Sequence, residues 1–171
     1  GNYSIAQPTN VTGTVTQFGL TVSGVTVTSR AYNDTAVAPL VLTNATLVTV
    51  FGTNDVTLVG PGTGAFADKN VGSNKPVIVT GLTLGGADAG NYSIAQPTNV
   101  TGTVTQFVLT VGGSFTADNK VYDGTKDATI NNNSLTLITK YGGDDVTLTA
   151  VAEFADKLVA NNKTVSLTGS S

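Results

Sequence analysis

Short stretches in which apolar and polar residues alternate recur along the chain, separated by Gly, Asn, Asp and Pro. Alternation of this kind predicts β-strands with one buried face, and the separating residues predict tight turns. About seven such strands in roughly 90 residues are typical of an immunoglobulin-like (Ig-like) sandwich. We therefore expect an all-β fold of that type, with its clearest strands at residues 11–16, 56–58, 77–80 and 82–84.

A long internal repeat sets the predicted domain organisation. Residues 1–18 are identical to residues 90–107, and the sequences that follow the two copies align with an offset of 88 to 90 residues. A period of that length fits a complete small domain copied in tandem. We predict that residues 1–17 are the closing strand of an upstream repeat, residues 18–106 a complete Ig-like repeat, and residues 107–171 a second Ig-like repeat that lacks its last strands.

The predicted buried face changes sides where a repeat begins. Val11 and Val15 lie at odd positions, whereas Phe18, Leu20 and Val22 lie at even ones. A strand that ends one domain and continues into the next shows such a change, because its two halves face different cores. The pattern predicts a short linker between neighbouring repeats and a stiff array.

Composition narrows the possible functions. The chain has no Cys, Met, Trp or His, which removes thiol chemistry, disulfides and the usual proton shuttle at neutral pH. We therefore expect that it is not an enzyme. Its net charge is only -3, its basic residues are scattered, and no apolar run approaches the length of a membrane span. Neither nucleic-acid binding nor membrane insertion is expected.

Several short motifs recur at equivalent places in the two repeats. They contain Tyr32, Tyr122, Asp123, Gly124, Asp68, Lys69, Asp156 and Lys157. Together they resemble the YDG-motif repeat domains, which occur in tandem in very large bacterial surface adhesins, including ones related to filamentous haemagglutinin. The resemblance implies an Ig-like extracellular stalk module at the bacterial cell surface and offers no catalytic residues. The first repeat departs from the Tyr-Asp-Gly motif that gives these domains their name, because Asn33 and Asp34 replace its Asp and Gly.

The acidic residues allow two interpretations. Asp123, Asp127, Asp144 and Asp145 supply hard oxygen ligands of the kind that Ca²⁺ prefers, although none follows the spaced ligands of an EF-hand loop. Calcium is the only cofactor that the sequence suggests. We prefer the second interpretation, in which these side chains bond their own turns. In the motifs Asp68-Lys69 and Asp156-Lys157, ordinary surface ion pairs are expected.

The aromatic residues are predicted to anchor the cores. Every Phe and Tyr except Phe115 has a counterpart one repeat away, and recurrence at fixed places is expected of packing residues. A sugar-stacking platform is the alternative, and it would require exposed rings in a cluster.

Three functions stay open after these considerations. The favoured one is a structural spacer that holds a binding region away from the cell, with neighbouring repeats of the same chain as its partners. The second is a module that binds carbohydrate or a host protein. The third is a filament subunit, in which the strand around Val11 and Val15 completes the second repeat of the next chain, head to tail. Its alternative is that the two ends are simply cut points in a longer repeat protein.

Overall fold

The chain is all-β, as predicted, in a computed structural model that describes residues 1–168. Residues 169–171, the end of the predicted second repeat, lie outside the described part. The chain divides into two compact units, unit 1 (Gly1–Gln106) and unit 2 (Phe107–Ser171). Within residues 1–168 the one helical element is a short 3₁₀ turn, Ala89–Asn91, and no helix is long and apolar enough to span a membrane.

The strands of unit 1 are mostly short, because Gly, Asn and Asp interrupt the alternating pattern every few residues. They are β1 (Phe18–Ser23), β2 (Thr26–Val27), β3 (Arg30–Ala31), β4 (Val37–Ala38), β5 (Leu40–Val41), β6 (Thr46–Val48), β7 (Thr57–Val59), β8 (Thr63–Phe66), β9 (Gly72–Thr80), β10 (Thr83–Gly85), β11 (Tyr92–Ala95) and β12 (Thr101–Thr105).

Two sheets carry most of the pairing in unit 1. One has five strands in the order β3-β12-β9-β8-β4, and the other has three in the order β11-β1-β6. Strand β12 lies between β3, to which it is parallel, and β9, to which it is antiparallel. Strand β1 is parallel to β11 and antiparallel to β6. The last strands of the unit therefore hold its first strands in place.

Side chains from both sheets meet in one core. Val22 of β1 belongs to the same buried cluster as Val79 of β9 and Val104 of β12. Leu82 and Val100 join this cluster as well. Burial alternates along the chain from Val100 to Val104, as period-two patterning requires. The segment that follows β9 thus supplies a large part of the core.

Residues 1–17 depart from the prediction, because they form no strand although residues 11–16 have a strand pattern. The side chain of Val15 is 99% exposed, whereas that of its counterpart Val104 is 1% exposed. The physical reason is the partner: β12 exists because β3 and β9 accept and donate its hydrogen bonds, and no described strand pairs with residues 1–17. Their role as the closing strand of an upstream repeat stays a prediction.

Unit 2 contains fewer and shorter strands in its described part. They are β13 (Thr110–Gly112), β14 (Thr116–Ala117), β15 (Asp127–Ala128), β16 (Ile130–Asn131), β17 (Thr136–Ile138), β18 (Ala152–Phe154) and β19 (Val165–Leu167).

These strands repeat pairings of unit 1 in the same register. Strand β13 pairs with β17 as β1 pairs with β6, and β14 pairs with β16 as β2 pairs with β5. Strands β15, β18 and β19 form a sheet that matches β4, β8 and β9. Phe66 lies opposite Val77 in unit 1, and Phe154 lies opposite Val165 in unit 2. Different sequences therefore form the same ladders.

The pairings of β10, β11 and β12 have no counterpart in the described part of unit 2. The loss is visible in the core, where Ala152 is the one buried apolar residue between residues 107 and 168. Phe154 and Val165 are half-buried, although Phe66 and Val77 at the equivalent positions of unit 1 are buried. Unit 2 thus has the same framework with an incomplete core.

The change of buried face occurs at the boundary between the units. Val104 is buried at an even position, whereas Phe107, Leu109 and Val111 are half-buried at odd positions. The two halves of this segment therefore turn opposite faces inward, each toward its own unit, as the pattern predicted.

Candidate functional site

The motif Tyr122-Asp123-Gly124 forms a tight turn in unit 2. We call this turn and its equivalent in unit 1 the motif turns. The Oδ1 atom of Asp123 accepts hydrogen bonds from the backbone N–H and the hydroxyl of Thr125, both at 2.9 Å. The Nζ atom of Lys120 lies 2.9 Å from the same oxygen. Gly124 has a φ of +82°, a conformation that suits a residue without a Cβ. Lys120 and then Thr125 lower the pKa of Asp123 from 3.8 to about 2.

Lys120 also closes this turn against the sheet. Its ammonium group donates to the backbone carbonyls of Thr125, at 3.1 Å, and Asp127, at 3.0 Å. The same nitrogen lies 6.0 Å from the centre of the Phe154 ring, within the range of a cation–π contact. One cation therefore joins the turn to the start of β15 and to β18.

Unit 1 has the same turn with different side chains. The Oδ1 atom of Asn33 replaces the Asp123 carboxylate and accepts from the hydroxyl of Thr35 at 2.8 Å and from its N–H at 3.3 Å. Asp34 takes the position of Gly124 with a φ of +62°. Asp is one of the few L-residues that adopt this conformation readily, because its short polar side chain bonds locally. The departure from the name motif therefore leaves the turn unchanged.

Arg30 has the role of Lys120 in unit 1. Its guanidinium group donates to the carbonyls of Thr35, at 2.5 Å, and Val37, at 2.9 Å. It also lies 5.5 Å from the centre of the Phe66 ring. Both units thus place a cation against an aromatic ring of the core and use it to fix the carbonyls that follow the turn.

Tyr32 connects the turn of unit 1 to the last strand. Its backbone N–H donates to the carbonyl of Thr105 at 2.8 Å, at the end of β12. Its hydroxyl donates to Asp34 at 3.1 Å, and Lys69 forms an ion pair with the same carboxylate. Lys69 and then Tyr32 lower the pKa of Asp34. The motif turn therefore holds the strand that leads to the boundary at Gln106.

The expected ion pairs within Asp68-Lys69 and Asp156-Lys157 need correction, because each aspartate pairs with a lysine seven residues later. Lys75 Nζ lies 2.5 Å from Asp68 Oδ1, and Lys163 pairs with Asp156 in the same way. The reason is the turn that each aspartate makes with its own backbone, which directs the carboxylate toward the later lysine.

These turns use the backbone N–H groups of Asn70 and Leu158, which donate to Asp68 and Asp156 at 2.8 Å and 2.7 Å. In each unit the later lysine also donates to the carbonyl of that residue, at 2.6 Å and 2.7 Å. The lysine and then the backbone N–H lower the pKa of both aspartates. The spacing Asp-x₆-Lys, present in both repeats, was the sequence signal for this pairing.

The four calcium candidates are not brought together by the structure. Asp123 bonds its own turn, Asp127 and Asp145 are exposed, and the backbone of Asp144 forms a turn with Tyr141. Among residues 1–168 no group of three or more acidic side chains is placed to hold a metal ion. The arrangement around Asp123 matches the interpretation as a turn residue.

Three aromatic rings form a cluster in unit 1. The ring centres of Phe18 and Phe51 are 4.6 Å apart, and each lies 6.3 Å from that of Tyr92. The Tyr92 hydroxyl accepts a hydrogen bond from Asn54 Nδ2 at 2.9 Å. In unit 2 the matching pair, whose ring centres are 5.4 Å apart, consists of Phe107 and Tyr141.

The prediction that the aromatic residues anchor the cores is right only in part. The side chains of Phe66 and Tyr92 are buried. Those of Tyr3 and Tyr122 are 99% and 57% exposed, and Phe51 is also exposed. Tyr3 and Tyr92 occupy identical sequences, so burial depends on whether the rest of the core surrounds the segment.

Comparison with protein-family models identifies the same domain in both units. The sequence model of the YDG domain matches residues 16–100 and again residues 105–171. Neither the search of curated proteins nor the search of solved structures gave a match.

Proposed function

Because the chain belongs to the YDG domain family, we propose that it is a spacer segment of a secreted bacterial surface adhesin. In this proposal, tandem Ig-like sandwich domains hold a binding region of the parent protein away from the cell. The repeats add length to the parent protein and have no catalytic role.

The observation that carries the proposal is that both units repeat the same strand pairs and fix their turns with equivalent side chains. The same strand pairs recur in the same register in both units. The chemically distinctive residues, such as Lys120 and Asp123, use their polar groups to fix turns of their own unit. A modular spacer requires a domain that can be copied with its strand pairs and turn hydrogen bonds retained, while residues at other positions vary.

Strand β12 is well placed to resist a pulling force applied along the chain. It lies between β3 and β9, and Tyr32 holds its final residue, Thr105. The interstrand hydrogen bonds run across the strand direction. A pull along β12 from the boundary at Gln106 therefore loads these bonds together, and resistance is greatest when no bond can break alone.

Force spectroscopy of the chain, tethered at its two ends, tests the proposal. We expect a distinct force peak for unit 1, with a gain in contour length of about 30 nm for residues 18–105 at the usual extension per residue. Substitution Arg30→Ala should lower the peak force, because the carbonyls of Thr35 and Val37 lose their donor. Substitution Val15→Ala is the matched control and should leave the peak unchanged.

Extension of unit 1 without a force peak would contradict a load-bearing spacer. If the chain instead bound a glycan or a host protein saturably and unfolded at negligible force, the interaction module would be the better assignment. The two readouts are independent, so the same preparation distinguishes them.

A further inference from the structure

The motif turn of unit 2 contains the one Asp-Gly pair of the sequence, Asp123-Gly124, and no Asn is followed by Gly. Aspartate in this context is chemically labile, because glycine has no Cβ atom that would hinder attack by its own backbone nitrogen. Both residues are exposed, and a Cβ atom at Gly124 would have no atom within 4 Å. Packing therefore leaves this peptide bond open to water.

This exposure is a property of the turn itself. The polar partners of Asp123 are Lys120 and Thr125, which belong to the same short segment. Asn33, at the equivalent position of unit 1, is also exposed, although β12 is in place there. The turn thus lies at the surface in both units, whether or not a strand follows at the position of β12.

Isomerisation of such a pair needs only the chain and water. The backbone nitrogen of Gly124 attacks Cγ of Asp123, and the carboxyl hydroxyl leaves with the amide proton as one water molecule, which closes a five-membered succinimide ring. A second water molecule then opens the ring. Cleavage of the new bond to Cγ restores aspartate, whereas cleavage of the original peptide bond gives isoaspartate, whose main chain runs through Cβ. The sequence of steps needs no oxidant, reductant or other reactant.

The turn opposes the first of these steps. Oδ1 of Asp123 accepts three hydrogen bonds, one from Lys120 Nζ and two from Thr125, each at 2.9 Å. Ring closure requires the carboxyl group to rotate and to lose an oxygen, and both changes disturb these bonds. Ring closure also consumes the neutral acid, because an ionised carboxylate is a poor electrophile. Since the pKa of Asp123 is about 2 instead of 3.8, the neutral acid is roughly 60 times rarer at neutral pH than in an unstructured peptide.

We propose that Asp123-Gly124 is the site at which this chain forms isoaspartate, and that Lys120 and Thr125 control the rate by holding the carboxylate in the motif turn. The product has one more atom in its main chain, and its carboxylate is attached to Cα, so it no longer reaches the same donors. Lys120 then loses the partner that places it against the carbonyls of Thr125 and Asp127. This inference stands independently of the spacer proposal.

The motif turn of unit 1 supplies an internal reference. Asn33 can form the same ring with loss of ammonia, but the attacking nitrogen belongs to Asp34, whose Cβ atom and charged side chain hinder it. The carboxylate of Asp34 is also held by Tyr32 and Lys69. Isoaspartate should therefore appear at residue 123 before residue 33, although the two turns share one geometry.

Prolonged incubation of the chain at mildly acidic pH, followed by digestion and electron-transfer mass spectrometry, is the first test. The reference is a synthetic peptide with the sequence of residues 118–128 in the same buffer. We expect isoaspartate first at residue 123, at a rate at least about tenfold lower in the folded chain than in the peptide. The chain in denaturant should react at the rate of the peptide. Formation at the peptide rate in the folded chain, or earlier formation at another residue, would overturn the proposal.

Substitutions in the turn test the control of the rate. Lys120→Met should accelerate isoaspartate formation at residue 123 by at least about tenfold, because it removes the main cause of the low pKa. Thr125→Val should have a smaller effect, since the backbone N–H donor remains. Lys140→Met removes an exposed lysine elsewhere in unit 2 and is the matched control, with an unchanged rate. Circular dichroism checks that each variant keeps its strands. Equal rates in Lys120→Met and in the unsubstituted chain would refute the role of Lys120.

Hydrogen exchange of the aged chain tests the structural consequence. The N–H of Phe154 donates to the carbonyl of Lys126 at 2.8 Å, between the two carbonyls that Lys120 holds. Once residue 123 is isoaspartate, this amide should lose protection. The equivalent amide of Phe66, which donates to Ala36 at 2.8 Å, should keep its protection and is the control. Unchanged protection at Phe154 would contradict the proposed link between the carboxylate and the sheet.

Discussion

Two copies of one 18-residue sequence have different structures in this chain. Residues 90–107 include β11 and β12 and bury Tyr92 and Val104, whereas residues 1–17 form no strand and expose Tyr3 and Val15. The motif turns show the opposite relation, because they differ in sequence and share one geometry.

The difference between these two cases is where the hydrogen-bond partners lie. A motif turn finds its donors and acceptors within a few residues, so local chemistry determines it. A strand finds them in another part of the chain, and its side chains favour a sheet only when a sheet is present. Four predictions test this comparison, beginning with the largest expected effect.

The first prediction concerns the valine that is 1% exposed in one copy and 99% exposed in the other. Val104→Ala should lower the free energy of unfolding of unit 1 by about 2–3 kcal/mol, because it leaves a cavity in the core. Val15→Ala should change it by less than about 0.5 kcal/mol. Denaturant unfolding measures both. Equal effects would mean that residues 1–17 are folded against unit 1.

The second prediction uses the glycine of the same strand. Gly102→Ala should cost about 1–3 kcal/mol, because its Cβ atom would lie 2.8 Å from Val27 Cγ1 and 3.0 Å from the Phe66 ring. A Cβ atom at Gly13 would have no atom within 4 Å, so Gly13→Ala should be close to neutral. Thermal unfolding of the two variants distinguishes them. A neutral Gly102→Ala would show that β12 can move away from Phe66.

The third prediction concerns the tyrosine hydroxyl. Tyr92→Phe removes the acceptor of Asn54 Nδ2 and should cost about 1 kcal/mol. Tyr3→Phe should have no measurable effect on the unfolding of a monomeric chain, because Tyr3 is exposed. Denaturant unfolding again provides the comparison. A cost for Tyr3→Phe similar to that of Tyr92→Phe would contradict the structural difference between the copies.

The fourth prediction compares the two motif turns. Asp123 has a pKa of about 2 in the folded chain, below its usual 3.8, so its contribution to stability is present above pH 3.8 and is lost as the pH falls toward 2. Asn33 does not titrate, so its hydrogen bonds with Thr35 should persist throughout this range. A carboxyl NMR titration should show the low pKa, and Lys120→Met should raise it. An unchanged pKa in that variant would exclude Lys120 as the main cause.

Periodicity in the sequence was sufficient to predict an all-β chain and the change of buried face near Phe107. It was not sufficient to distinguish Val11 and Val15 from Val100 and Val104, because identical local sequences cannot encode different partners. Strand formation in these segments depends on contacts with distant residues, which an alternating pattern does not contain.

The motif site was predictable to a similar extent. The recurrence of Asp68 and Asp156 predicted structural roles for both, and each carboxylate accepts a hydrogen bond from the backbone of its own turn. Their lysine partners were missed because a neighbouring lysine offered a simpler pairing. Asp34 could not be recognised as the equivalent of Gly124 from residue type alone, because the relevant property is its positive φ.

The duplicated segment also bears on how the chain folds during synthesis. Residues 1–17 leave the ribosome before β3 and β9, whereas residues 90–107 follow them. Both copies present the same side chains to the site between β3 and β9, so side-chain chemistry cannot choose between them. The choice is left to connectivity, through the entropy of closing the intervening loop and the order in which the segments appear. In this chain the correct closing strand is selected by its position rather than by its sequence.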